Sequence, residues 1–415
     1  MINNTGAILE KFKMSVKGWA ISGNPPPEKL SEDGRCVPFA GLIWMPAIDS
    51  YKLNISSLHF SKKKRGRLPE NLVKFEGTFG QSIDDFTPRN LSRRMCSSVS
   101  ARKFDLLGKL APLDLRLKND LRKLILVDSD WDKPISQELR SRWVENFTII
   151  EDIRDIIYVR APIPDDALRS SVRLWLQCDG AEEGIMITAH IGYERSNGLW
   201  SCNHLIAKNI LPPSGWTIPQ IELHALSSLS NLAAFIQHAL GNWIEVTYAA
   251  SDSTIAISWS IYEKAKLLVF QRIRVSNIRQ KLNLENLFHI DGKSNLADFG
   301  TRPDAVTADL LKPGSEWLNG KSWMTLPVQE AQENGTLKST KDIIINNEMK
   351  KVLREGTFFD DFDQLNYTFN HFDAKKSAQI ESESDYLFSP IKRSFRSVVR
   401  ITGYVILACK KFKRG

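Results

Sequence analysis

Between residues 172 and about 302 the spacing of apolar residues changes several times, and the order of these changes restricts the fold more than any other feature of the chain. Val172, Leu174, Leu176 and Cys178 alternate with Arg173, Trp175, Gln177 and Asp179, the period of two that sends successive side chains to opposite faces of a strand. Residues 184–190 form a second predicted strand, and the stretch from about 199 to 210 a third. A long helix is predicted over about 219–240. Pro219 sits in its first turn, where a missing N–H is no loss, and Gly241 ends it. Residues 244–250 read as a fourth strand, followed by a helix from about 253 and another across 264–279. Residues 287–290 form a short fifth strand. A last helix starts near Asn295 with Ser294 as its N-cap.

Three strands, a helix, a strand, helices, a strand and a helix is the element order of an RNase H-like α/β fold, a five-stranded mixed sheet with helices. Four acids fall at telling places on it. Asp179 ends the first strand, and Asp252 follows the fourth, at the carboxyl end where ligand sites of α/β sheets gather. Glu222 has Ala225, Leu226, Leu229, Leu232, Ala233, Ile236 and Leu240 at helical spacing, which puts it on the apolar stripe facing the sheet. An unpaired carboxylate there is costly, and a cation removes the penalty. Asp298 lies in the first turn of the last helix, where the helix dipole favours its anion. Singly, Asp252 and Asp298 could decorate helix starts and Glu222 could sit in a salt bridge. Together the four predict a carboxylate site for two divalent cations, magnesium or manganese. Two such ions about 4 Å apart activate a water and stabilise the leaving oxygen of a phosphodiester.

The rest of the 415 residues divides by composition. Residues 1–97 read as a small mixed α/β region, with short strands at Leu42-Ile43-Trp44 and Tyr51-Lys52-Leu53-Asn54-Ile55 around a turn at Pro46. A basic run follows, Lys62, Lys63, Lys64, Arg65 and Arg67. It is either a solvated loop, or a phosphate-contacting patch or nuclear import signal. Residues 98–168 are helical, with leucines from Leu106 to Leu124 mostly three and four apart and a turn at Gly108 and Pro112. Residues 304–390 read as a linker, polar from about 325 and acidic around Asp360. Residues 391–415 are basic and amphipathic, a surface for nucleic acid or membrane, or else a helix packed on a neighbour. The net charge of +8 favours a polyanionic partner, though only modestly. Five scattered cysteines without C-x-x-C spacing argue against a disulfide scaffold or a thiolate zinc site and for a reducing compartment. The polar N-terminus has no signal-peptide core, and no apolar run approaches the roughly 18 residues of a membrane span. The expectation is an intracellular protein, cytoplasmic or nuclear, that is not secreted.

Several segments carry a family resemblance: Lys103-Phe104-Asp105-Leu106-Leu107-Gly108-Lys109-Leu110-Ala111-Pro112, Thr217-Ile218-Pro219-Gln220-Ile221-Glu222-Leu223, Ser251-Asp252-Ser253, and His289-Ile290-Asp291-Gly292-Lys293-Ser294-Asn295-Leu296-Ala297-Asp298 with Thr301-Arg302. The chain resembles the pol polyprotein of BEL/Pao-type LTR retrotransposons, often labelled the Pao retrotransposon peptidase family. The resemblance implies a reverse transcriptase tail over 1–97, a tether over 98–168, an RNase H-like domain over 169–303 and a linker towards integrase beyond it. It implies a nuclease that cuts the RNA strand of an RNA–DNA hybrid within virus-like particles, alongside the remaining reverse transcriptase and integrase. Asp179 would bridge both metals, Asp298 would help hold the one that activates water, and Glu222 and Asp252 would hold the other. RNA would be told from DNA by 2′-hydroxyl contacts across a shallow minor groove.

Departures limit the transfer. No Tyr-x-Asp-Asp marks a polymerase centre, and no Asp-Thr-Gly or Asp-Ser-Gly an aspartic protease. No integrase zinc module is expected on this chain. Gln220 stands where the family has Arg, and Ile290-Asp291 where it has Val-Pro. His289 lies on the strand side of the last loop, as a satisfied strand residue or as a substitute for the loop histidine of other RNases H. The competing reading is a catalytically inactive nucleic-acid-binding remnant. An integrase-type core is disfavoured, because integrases place their Glu last.

Overall fold

The computed structural model describes residues 37–60, 72–77, 81–127, 130–262 and 267–343. The basic run at 62–67, the acidic stretch around 360 and the basic segment 391–415 lie outside the described residues.

Two sheets organise the chain. In the first, β1 (Val37–Phe39), β2 (Leu42–Met45) and β3 (Ser50–Leu53) form an antiparallel meander, and β4 (Tyr158–Val159) pairs antiparallel with β3. Between β3 and β4 lie α1 (Ile83–Phe86), α2 (Arg93–Ser100), α3 (Ala111–Val127) and α4 (Gln137–Asp152). The leucine stripe is helical only from Ala111, because Gly108 takes a left-handed conformation (φ 69°) that breaks the run. Helix α4 is capped by Ser136, whose hydroxyl accepts from the Leu139 N–H. Tyr51, Leu58, Leu91, Trp143, Phe147 and Tyr158 share one core, so strands from before residue 97 and helices from after it pack as one body.

The second sheet holds the acids. β5 (Arg173–Ala181), β6 (Gly184–Glu194) and β7 (Trp200–Ile210) are antiparallel neighbours. Helix α5 (Ile218–Leu240) returns the chain to β8 (Val246–Ser251), parallel to β5. Helices α6 (Thr254–Ile261) and α7 (Val269–Lys281) lead to β9 (Leu287–His289), parallel to β8. After the single-turn helix α8 (Asp298–Thr301) come α9 (Glu316–Asn319), α10 (Val328–Glu333) and β10 (Lys338–Ser339). The strand order is β10-β9-β8-β5-β6-β7. This is the expected RNase H-like mixed sheet. A sixth strand is added because β10 pairs antiparallel with β9 at the edge.

Alternation along β5 assigns its faces. Leu174, Leu176 and Cys178 join Leu226, Leu229 and Ala233 of α5 in the main core. Trp175 and Gln177 point to the other face and are buried as well. Trp175 Nε1 donates to the Met324 carbonyl at 3.1 Å and its ring meets Trp323 edge-on at 5.1 Å; Gln177 accepts from the Leu296 N–H at 2.7 Å. The linker reading therefore fails for residues 304–343: Trp323, Met324 and Val328 cover this second face, and Val306, Leu311, Trp317 and Leu318 join the core of the first sheet and its helices. Val306, Leu311, Trp317, Leu318, Trp323 and Met324 are all buried. They are a few large apolar anchors spaced irregularly through polar sequence. They carry no helix or strand period, yet each removes a large area from water. The last helix also differs from its expected start. Ser294 closes a 3₁₀ turn (Gly292–Ser294), and Asn295 is drawn onto the sheet, where its side chain donates to the Cys178 carbonyl at 2.9 Å. Helical structure resumes at Asp298.

Candidate active site

Asp179 lies on the β5 face away from α5. Its Oδ1 accepts from the Gly180 N–H at 2.7 Å and its Oδ2 from the Thr301 hydroxyl, which ties β5 to α8. Helix α5 approaches β5 closely here: a Cβ on Gly180 would stand 3.1 Å from the Glu222 nitrogen. Glu222 is thereby brought to the strand end, and its Oε2 accepts from the Ser253 hydroxyl at 2.8 Å. Asp252 follows β8, one strand over and parallel to β5, so both acids emerge at carboxyl ends. Its carboxylate lies against Gly292, where a Cβ would stand 3.3 Å from Oδ2. Asp298 opens α8 and accepts from Arg302 Nε at 2.7 Å, an i,i+4 pair whose arginine is exposed.

All four acids interact electrostatically. Burial pushes the Asp252 carboxyl up to about 7, and Asp179 first, then Glu222 and Asp298, push the same way. Burial raises Glu222, the Ser253 hydroxyl opposes it, and Asp179 adds to it. Burial also raises Asp179 against its bonds from Thr301 and Gly180, with Asp298 raising it further. Beneath them, burial drives up the Cys178 thiol, and Asp252, Asp179 and Glu222 contribute. Among the described residues, no lysine or arginine pairs with Asp179, Glu222 or Asp252. The salt-bridge alternative for Glu222 is thus replaced by its hydroxyl partner.

A donor set of four carboxylates suits a hard dication, and carboxyls that stay raised although Arg302 pulls Asp179 down from a distance are what such an ion would stabilise. Convergence is incomplete. Among the described residues, no group of three or more His, Cys, Asp and Glu side chains stands in an arrangement that could hold a metal ion. Thr301 holds one oxygen of Asp179, Ser253 one of Glu222 and Arg302 one of Asp298.

Residues 92–253 match the family described as Pao retrotransposon-like RNaseH-like domain. The match supports a BEL/Pao retrotransposon pol fragment, and it spans α2 to the residue after Asp252. No curated protein matches the chain. Asp179, Glu222 and Asp252 fall inside the matched range and Asp298 beyond it. Among the described residues, no helix is long and apolar enough to cross a membrane.

Some candidates sit apart from the acids or were not foreseen in their roles. Lys62, Lys63, Lys64, Arg65 and Arg67 lie outside the described residues. His289 is a satisfied strand residue: its Nε2 donates to the Asp252 carbonyl at 3.2 Å. Gln220, in place of the family's Arg, accepts from the Thr217 N–H at 2.9 Å and so caps α5. Ser253 and Thr301 were visible as motif residues, but their bonds to Glu222 and Asp179 join segments 31 and 122 residues apart. Only the adjacency of Ser253 to Asp252 hinted at its place.

Proposed function

We propose that the chain is a retroelement ribonuclease H that hydrolyses the RNA strand of RNA–DNA hybrids, with Asp179, Glu222, Asp252 and Asp298 holding two magnesium or manganese ions. The observation that carries this is the approach of α5, with Glu222, to the carboxyl end of β5, with Asp179, beside Asp252 at the end of β8, the three carboxyls all raised by burial. Bound divalent ions would supply an activated water and charge stabilisation at the leaving oxygen. The residues' part is orientation. Gly180 and Thr301 hold the Asp179 carboxylate, and Ser253 holds Glu222 beside it. Asp298 is paired with the exposed Arg302.

A second reading, a non-catalytic nucleic-acid binder, is favoured by the Asp298–Arg302 pair and by the incomplete convergence of the acids. One experiment separates the two. Purified protein is incubated with a labelled RNA–DNA hybrid in magnesium or manganese, beside Asp179→Asn. Cleavage of the RNA strand by wild type and its loss in the variant support the nuclease. Salt-dependent binding without turnover in either metal supports the binder, and an Asp179→Asn protein that cleaves as well as wild type removes the acids from the chemistry.

A further inference from the structure

The turn that follows Asp179 and the segment that follows Asp298 are held by the same helix, which belongs to neither. Helix α3 packs directly against α8. Its Asn119 is buried and donates through Nδ2 to the Glu183 carbonyl at 2.6 Å, in the turn between β5 and β6. One turn earlier, Leu115 fills the space above Gly184, where a Cβ would come within 2.5 Å of it. Arg116, on the same face, is also buried. Its Nη1 donates to the carbonyls of Val306 at 3.2 Å and Pro303 at 3.4 Å, just past Arg302. Its remaining nitrogens are committed to α4: Nε to Asn146 Oδ1 at 2.6 Å and Nη2 to Glu145 Oε2 at 2.8 Å.

We infer that Arg116 and Asn119 are positioning residues of the acid site, setting where Asp179 and Asp298 stand relative to each other; the catalytic consequence rests on the nuclease reading above. Asn119 anchors the hairpin that continues β5 beyond Asp179. Arg116 anchors the chain leaving α8, whose Thr301 in turn bonds Asp179. The guanidinium suits this task because it bonds two carbonyls and two side chains from one rigid plane, which an ammonium cannot do. The helical segment ahead of the sheet is therefore part of the site, in keeping with a family match that begins at residue 92. Small displacements matter here, since a misplacement of about 1 Å can cost about 10²-fold in rate.

The test uses the full chain with Asn119→Ala and Arg116→Lys, beside Arg122→Ala. The last removes a different α3 contact, to the Pro212 carbonyl, away from both acid-bearing segments. Hydrogen exchange is expected to accelerate about 5- to 10-fold at residues 181–184 in Asn119→Ala and at 299–306 in Arg116→Lys. Manganese affinity by calorimetry is expected to fall about 10-fold in both, and kcat with it, while KM for the hybrid stays within about twofold. Arg122→Ala should do neither. Unchanged protection at these segments in the folded variants, or protection lost evenly across the sheet, overturns the inference. Should Arg116→Lys fail to fold, Asn119→Ala, which removes a neutral side chain's bonds only, still decides it. A wild-type chain that binds no manganese defeats the nuclease reading and leaves the exchange data to decide the positioning.

Discussion

The Ser253 hydroxyl donates to Glu222 Oε2 at 2.8 Å while its own oxygen, Oγ, accepts from the Ala256 N–H at 3.0 Å. One side chain thus caps α6 and anchors an acid of α5. The residue next to Asp252 fixes both the helix that follows and the orientation of Glu222.

Replacing Ser253 by alanine removes both bonds. Loss of the cap costs about 1 kcal/mol, and Glu222, no longer held down by a hydroxyl donor, rises further in pKa. Urea denaturation of Ser253→Ala should show this loss with an unchanged m-value. Ser253→Thr should retain most of the stability, because threonine keeps the hydroxyl at the cap.

The docking of the tether onto β7 can be tested at a glycine. Gly108 and Gly198 both have positive φ, 69° and 80°, so an alanine is strained at each by about 1–2 kcal/mol. At Gly198 the new Cβ meets nothing within 4 Å; at Gly108 it would come 2.1 Å from the Ala207 carbonyl oxygen, beside the Ala207 N–H bond to Leu107. Gly108→Ala should therefore destabilise by about 1–3 kcal/mol more than Gly198→Ala. Equal melting temperatures for the two would mean that the tether does not sit on β7.

Trp317 measures how far the segment beyond residue 303 belongs to the core. It is fully buried, its Nε1 donates to the Lys109 carbonyl at 2.8 Å, and its carbonyl accepts from His190 Nε2 at 2.9 Å. Trp317→Ala should cost about 3–5 kcal/mol, the range of a large aromatic removed from a core. A change below about 0.5 kcal/mol, typical of surfaces, would restore the linker reading.

His190 makes stability pH-dependent. Burial lowers its imidazole from the ordinary 6.5 to about 4, against the bond to Trp317. A base depressed in the folded state contributes its stability in full above the unfolded value of 6.5, and loses it as pH falls through 4. Gln can keep the donor to Trp317 without titrating. Between pH 6.5 and 4, the His190→Gln protein should lose stability less steeply than wild type, by up to about 1.4 kcal/mol per pH unit. Parallel pH profiles of the urea midpoint for the two proteins would contradict this.

Local periodicity made the order of strands and helices around the acids legible, because a period of two or of 3.6 is written in neighbouring residues. Glu222 could be placed by the same logic: an acid on an apolar stripe has few fates. Helix boundaries were read less well where a side chain's distant bond overrode the local pattern, as with Asn295, which leaves the expected helix to meet the Cys178 carbonyl.

The sequence by itself determined the RNase H-like element order and the positions of Asp179, Glu222, Asp252 and Asp298 on it, since both follow from short-range spacing. Only the tertiary structure decided that Trp323 and Met324 cover the second face of β5 and that α3 grips both acid-bearing segments through Arg116 and Asn119. Most of these contacts join residues tens to nearly two hundred positions apart. Each depends on chain closure and packing geometry, for which a local sequence pattern carries no signal.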